Sequence, residues 1–241
     1  MSDLAAGARA LRALHRPGDP VVLPNAWDAA SARALAAGAP ALATTSVGVA
    51  EALGHRDGGD LPAGAAFAAL ARIVAAVDVP VTHDAEAGYG LAPDAFVDAL
   101  LAAGAVGANL EDTDPATGAL RDPGEQATYL GAVKAAGRAR GVDLVLNARV
   151  DVHVRGGSLD DGLARARAYR AAGADCVYPI FCDDEDAIRA YVEAAGAVNV
   201  HARPSAPPVA RLAELGVARV SFGGSLFRAA LDAAVAAAQA P

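Results

Sequence analysis

The feature that most constrains this chain is a unit that recurs along its whole length. A short run of β-branched or apolar residues ends in a polar tip with Gly, Asp or Asn, and an alanine-rich stretch of helical period follows. Eight such runs occupy residues 21–25, 41–46, 79–86, 107–112, 143–151, 175–181, 197–203 and 218–223. Helical stretches between them include 63–77, 93–103, 125–140 and 159–172. Several end in an AAGA-like signal at Gly38, Gly104, Gly173 and Gly196, where glycine suits a left-handed C-cap and the next strand begins within a few positions. Strand and helix alternating without a linker predict an α/β chain that closes as a (β/α)8 TIM barrel, with residues 1–241 as a single domain; an open doubly wound sheet is the alternative.

Composition narrows the function classes. At 54% hydrophobic the chain can bury one large core. Its net charge of −8 leaves nothing basic to neutralise a phosphate backbone, so no nucleic-acid partner is expected. In the opening MSDLAAGARALRALHR, Arg9 and Arg12 interrupt the apolar residues, which reads as an extra amphipathic N-terminal helix and not as a signal peptide. No apolar run reaches the roughly 18 residues needed to span a bilayer, so no membrane partner is expected. Cys176 and Cys182 lack metal-ligand spacing, and so few thiols suggest a reducing cytoplasm.

In a barrel, chemistry sits at the C-terminal ends of strands and in the loops beyond them. The two longest such segments, 47–62 and 113–124, are rich in Gly, Asp and Pro and suited to close over a ligand. In the third run, PVTHDAEAGYG, the strand period of two puts Asp84 and Glu86 on the inner face and His83 on the other. The same parity groups Asn109 with Glu111, and Asn147 with Arg149 and Asp151. Clustered carboxylates in a low-dielectric mouth call for a cation, and oxygen-only ligands suit Mg²⁺ or Mn²⁺, with Asp84, Glu86 and Glu111 as the metal-site acids. Arg149 is a natural bidentate partner for a substrate carboxylate or phosphonate; a structural ion pair with Glu111 or Asp84 is the plainer reading.

The segments TTSVGVAEALGHRDGG, HDAEAGYG, GANLEDTD, LNARVD and GVARVSFGGSLFRAAL are similar, in order and spacing, to the isocitrate lyase and phosphoenolpyruvate mutase superfamily, most closely to its short bacterial members of undefined activity. The resemblance spans residues 23–230 and is most specific in D-x-[DE]-x-G-[YF]-G followed by L-E-D and N-A-R. It implies that Asp84 is a direct metal ligand and that Glu86 and Glu111 hold the metal through water. It implies further that Asp57 approaches metal and substrate from a mobile loop, that Arg149 binds the reacting anion, and that Thr45 and Ser46 meet the substrate carboxylate. Asn199 is a weaker match to a substrate contact. A homo-oligomer, with the last helix exchanged between subunits, is implied too, and the apolar tail 226–238 is compatible with it.

One departure stands out. Lyases of the family carry a K-K-C-G-H type motif, with an acid/base cysteine, in the loop after the fourth strand; here that loop reads TDPATGALRDPGE. The lysine- and asparagine-bearing motif of phosphonomutases is missing as well. Asp114, Arg121 and Asp122 are the substitutes the loop offers.

Other readings have less support. The only lysine, Lys134, lies within a helix, which excludes a Schiff-base aldolase with its lysine on a barrel strand. His15, His55, His83, His153 and His201 are too scattered for a zinc aldolase; most read as surface or supporting residues, with His201 and His55 the two candidates for ligand contact. The run RVSFGGSLF suggests a phosphate site of a phosphosugar enzyme, although Gly223 and Gly224 equally suit tight packing. Cys182 reads as a half-buried thiol before a nucleophile, and Trp27 is expected to pack in the barrel mouth. The expected function is therefore a Mg²⁺-dependent enzyme acting on a small 2-oxo or 2-hydroxy carboxylic acid through an enolate. Carbon–carbon cleavage by a lyase or decarboxylase comes first and phosphonomutase-like P–C chemistry second, with a catalytically inactive or binding-only barrel as the rival class.

Overall fold

A computed structural model describes residues 3–240. Helix α1 (Leu4–Ala13) is capped by Asp3, whose carboxylate accepts from the Ala6 amide at 2.9 Å. Strands β1 (Val21–Leu23) and β2 (Asn25–Ala26) follow, then helix α2 (Ala29–Ala36), started by a capping box between Asp28 and Ser31. Strand β3 (Leu42–Thr44) leads into two helices, α3 (Ser46–Ala52) and α4 (Ala63–Val74). The alternation then runs β4 (Val81–Asp84), α5 (Pro93–Ala102), β5 (Gly107–Glu111), α6 (Pro123–Ala139), β6 (Val145–Val150) and α7 (Leu159–Ala171). It ends β7 (Cys176–Pro179), α8 (Glu185–Ala195), β8 (Asn199–His201), α9 (Val209–Glu214), β9 (Arg219–Ser221) and α10 (Ser225–Gln239).

All strand pairs are parallel, in the order β2-β3-β4-β5-β6-β7 and β1-β9-β8. Pro24, which has no N–H, divides the first barrel strand into β1 and β2. A bridge between Val177 and Val198 joins β7 to the segment entering β8, so the strands form one closed ring. Each of the eight sequence runs contains a strand, and the (β/α)8 fold is the observed one. The 47–62 segment is not loop throughout: α3 takes up its first part, and the loop proper starts at Leu53.

The floor of the barrel is closed by α1. A Cβ on Gly107 would lie 2.7 Å from Val145 O and 3.1 Å from the Leu11 side chain, so only glycine lets helix and strand meet there. Arg12 donates to Asp175 at 2.8 Å and to the carbonyls of Asp143 and Leu144 at 2.7 and 3.1 Å. Buried Lys134 reaches Asp175 at 2.7 Å and Asp143 at 3.0 Å, so the single lysine ties helix α6 to the strand starts. Trp27 packs edge-on against Phe227 at 5.4 Å, and its Cβ lies 2.8 Å from where a Cβ on Gly48 would be. It thus braces the root of α10 and does not line the cavity at the barrel mouth, because it belongs to the strand-to-helix turn and faces the helix layer. Among the described residues no helix is long and apolar enough to cross a membrane.

Candidate active site

The C-terminal ends of the strands enclose a cavity of ≈ 260 Å³ lined by, among others, Ser46, Asp57, Asp84, Asn109, Arg149 and His201. Asp84 is the best-anchored acid. Its Oδ2 accepts from the Ser46 amide and its Oδ1 from Asn109 Nδ2, both at 2.9 Å, while Asn109 Oδ1 accepts from Asn147 at 2.9 Å. His83, as its parity requires, faces outward, with Thr44 Oγ1 2.9 Å from Nδ1 and the Phe67 ring at 5.5 Å. The Asp84 amide donates to Thr44 Oγ1 at 2.8 Å, so the outer layer fixes the strand end from which Asp84 projects.

Glu86 departs from the parity argument. Its backbone is left-handed (φ 48°), which ends the pleat, and the side chain lines an adjoining cavity with Gly59, Leu61, Tyr89 and Pro115. Glu86 is 3% exposed, and neither carboxylate oxygen has a hydrogen-bond partner. Burial, followed by the charges of Asp57 and Asp84, pushes it up to about 7; the Gly58 and Gly59 amides pull the other way without making bonds of normal geometry. Asp57 is raised for the same reasons, burial first and Asp84 second, with a hydrogen bond from Ser46 opposing.

Arg149 donates from Nη1 to Glu111 at 2.7 Å and from Nε to Asp151 at 2.6 Å. Asp151 also accepts from Thr113 Oγ1 at 2.5 Å. Burial pushes Glu111 up to about 8 against the pull of Arg149. The structural ion pair is therefore present, and it holds the guanidinium rigidly at the cavity wall.

Among the described residues no three His, Cys, Asp or Glu side chains converge on one point as a ready-made metal cage. The three acids assigned to the metal, Asp84, Glu86 and Glu111, are held apart. Asp84 is spanned by Ser46 and Asn109, Glu111 is drawn to Arg149, and Glu86 sits beyond its left-handed turn. An oxygen-only donor set with a buried, partnerless carboxylate nonetheless fits Mg²⁺, which keeps several waters and needs only one or two direct carboxylates.

Thr45 and Ser46 line the cavity, but they serve Asp84 and helix α3: Thr45 Oγ1 caps Gly48 N at 3.4 Å and the Ser46 amide is spent on Asp84. Asn199 does not line the cavity. It lies at the start of β8, level with Arg219, and exchanges hydrogen bonds with Ser221 at 3.0 and 3.2 Å; His201, one strand period further on, lines the cavity instead. The His201 ring stacks on Phe181 at 5.3 Å, and Arg203 covers the other aromatic at 4.5 Å. His55 stays at the surface, 3.7 Å from Asp60. Asp114, Arg121 and Asp122 are all committed elsewhere. Asp114 closes its own loop onto Ala116, Asp122 caps α6, and Arg121 reaches Ala87 O and Gln126. Burial raises the Cys182 thiol to about 12, which removes it as a nucleophile. The residue that strand-end reasoning missed is Arg219, an inward position of β9 that lines the cavity; its alternation with Ser221 across Val220 was the available signal.

A closed parallel barrel with Asp57, Asp84 and Arg149 around one small cavity at its mouth defines a (β/α)8 protein of the type that handles small anionic ligands there. More particularly, the chain belongs to the phosphoenolpyruvate phosphomutase family, whose model matches residues 11–240. An uncharacterised Mycobacterium tuberculosis protein is 39% identical over 235 residues, 94% of this chain and 86% of its own length. A Burkholderia cenocepacia structure described as a phosphonomutase superposes with a TM-score of 0.91 at 42% identity, covering 97% of both chains. A 2,3-dimethylmalate lyase of the same superfamily superposes at 0.86 with 27% identity, covering 98% of this chain and 84% of its own. A Bradyrhizobium oxaloacetate decarboxylase is 42% identical over 115 residues, 45% of this chain and 40% of its own. Lyases, mutases and a decarboxylase of small carboxylic acids thus share this family.

Proposed function

We propose that this chain is a Mg²⁺-dependent enzyme that cleaves a carbon–carbon bond of a small 2-oxo or 2-hydroxy carboxylic acid through its enolate. The observation that carries the reading is the charge deficit around Glu86. A carboxylate with two buried, partnerless oxygens stands beside Asp57 and Asp84, an arrangement that calls for a cation. Asp84 would hold Mg²⁺ directly, with Mn²⁺ as a substitute, and Glu86 and Glu111 through water. When bound, the cation supplies a fixed positive charge opposite the substrate oxygen on which negative charge develops.

The chain's own groups perform the rest. Arg149, immobilised by Glu111 and Asp151, presents its remaining N–H donors to an anionic group of the substrate. As the bond breaks, its electron pair stays on the carbon next to the 2-oxo group. Asp57 lines the cavity and keeps its proton to higher pH than an exposed aspartic acid, so it can return a proton to that carbon. Stacked Phe181 and His201 limit water at the rim. The lyase and decarboxylase relatives support C–C cleavage; P–C chemistry stays second, with a phosphonomutase-described structure among the similar ones, and the loop after β5 carries neither the lyase nor the phosphonomutase motif. Two unpaired, buried thiols agree with a reducing cytoplasm.

The test is a thermal-shift titration with Mg²⁺, oxalate as enolate mimic, and both together, on wild type and Asp84→Asn. Saturation to 100 Kd is worth ~2.7 kcal/mol, which for a domain of this size corresponds to roughly 5–10 °C. That shift is expected only for the pair and only in wild type. No shift with the pair overturns the proposal and leaves the binding-only barrel.

A further inference from the structure

The cavity holds a second cation besides Arg149. Arg219 opens β9, level with Val21 of β1 and Asn199 of β8, and lines the cavity below Asp84 together with Thr82, Asn147 and Tyr178. It is 2% exposed, and its Nε and Nη1 are buried without an acceptor. The other buried cations each have a counter-ion: Arg149 has Glu111 and Asp151, Arg165 has Asp112, and Lys134 has Asp175. Among the described residues Arg219 has none within ion-pair distance, and Asp84 acts on it only from further away. A guanidinium is always charged and carries five donors, so leaving it dry and unpaired in a barrel interior is strongly unfavourable. Thr82 Oγ1, also buried without a partner, adds a hydroxyl donor from β4, across the cavity from β9. The cavity has room for several waters or for a small acid.

We propose that Arg219 makes the inner end of the cavity an anion site that takes one carboxylate-sized monoanion. That anion is either the second carboxylate of a dicarboxylic substrate, a source that rests on the function proposed above, or a free small anion such as formate.

Isothermal titration calorimetry on wild type, Arg219→Met and Arg219→Lys separates the possibilities. Arg219→Met removes an unpaired buried charge and should fold at least as well as wild type; Arg219→Lys keeps the charge but loses the fork. With sodium formate in metal-free, low-chloride buffer, wild type should bind at one saturable site beyond any at Arg149, Arg219→Lys should bind there more weakly, and Arg219→Met should lose that site and keep only what Arg149 binds. With Mg²⁺, wild type should bind malate about tenfold tighter than lactate, which lacks the second carboxylate; a tenfold ratio is the scale of one charge-assisted contact. Arg219→Met should erase that ratio while leaving Mg²⁺-dependent oxalate binding within about twofold of wild type. Formate binding lost without a malate preference assigns the site to a free anion, and a lost malate preference assigns it to the substrate. If Arg219→Met matches wild type with formate, malate and lactate, water alone fills the inner end and the proposal is overturned. If Mg²⁺ and oxalate fail on wild type while formate binding still needs Arg219, the enolate reading fails and the anion site stands.

Discussion

His15 is held in one tautomer by its only hydrogen bond. Its Nδ1 lies 2.9 Å from Leu11 O, and a carbonyl can only accept, so Nδ1 carries the proton while Nε2 is buried without a partner. Burial, then the nearby Arg219 charge, lowers this imidazole to about 4. An unfolded histidine titrates near ~6.5, so between these values the unfolded chain binds more protons than the native one. Stability from this residue is therefore complete above the unfolded value and is lost as pH falls toward the folded one. The loss by pH 5 is about 2 kcal/mol. Urea midpoints at pH 7 and 5 should drop further for wild type than for His15→Gln; an equal drop would clear His15 of the acid limb. Asp112 makes a second residue-scale case. It is fully buried, accepts from Tyr169 at 2.7 Å and from the Asp151 amide at 2.8 Å, and pairs with Arg165 at 3.1 Å. Asp112→Ala strands the buried Tyr169 hydroxyl and Asp151 amide and leaves Arg165 with Asp161 at 3.1 Å as its one carboxylate; it should cost about 2–6 kcal/mol in chemical denaturation, about 1–3 for each stranded donor, whereas a loss below about 1 kcal/mol would mean that the stranded donors find other partners.

Helix α1 is attached to the barrel floor through few groups, chiefly Leu11 against Gly107 and Arg12 against Asp175 and two carbonyls. Arg12→Ala should therefore raise amide exchange across residues 4–13 while β5 and β6 stay protected, and Mg²⁺-dependent oxalate binding should not change. Protection lost equally in β5 and β6 would mean that helix and barrel open as one unit. The elements were largely legible from sequence because the strands are buried or half-buried on both faces everywhere except at Val22, and six of the ten helices, α3 and α5–α9, stop at a left-handed glycine, signals that short-range pattern carries well. Parity placed Asp84 inside and His83 outside, since both lie on a regular strand. It failed at Glu86, because a left-handed residue past the strand end breaks the period of two. The family resemblance, which pointed to Asn199, missed by one period at β8, where Asn199 starts a short strand and His201 reaches the cavity. Arg219 went unread for a different reason. Whether an inward arginine is paired depends on what seven other strands place opposite it, and no local pattern holds that information.

At the scale of the whole molecule, α10 is the element that one chain does not account for. Its first turn is anchored by Phe227 against Trp27 and by Arg228, which pairs with Glu51 at 2.5 Å. From Arg228 to the end of the helix every residue is exposed. Leu231 and Val235, 48% and 56% exposed, lie one turn apart on the same face. A helix of this length is marginal in water without an apolar surface to pack on, because nucleation is costly and a few intrahelical bonds barely offset it. Alanine-rich sequence raises the intrinsic propensity but supplies little area. The exposed face therefore calls for a partner, and we propose that a second copy of this chain would meet the need reciprocally, each tail covering the other barrel so that both apolar stripes leave water together. Wild type should elute as a homo-oligomer in size-exclusion chromatography with light scattering, and the double variant Leu231→Asp, Val235→Asp should shift to monomer and lose far-ultraviolet helical signal equivalent to residues 229–239. Because Gly223 and Gly224, at the root of α10, line the cavity, the monomeric variant should also bind Mg²⁺ and oxalate more weakly. A wild type that is monomeric at micromolar concentration, with its tail still helical, would show instead that α10 is stable alone and that the cavity is complete in one chain.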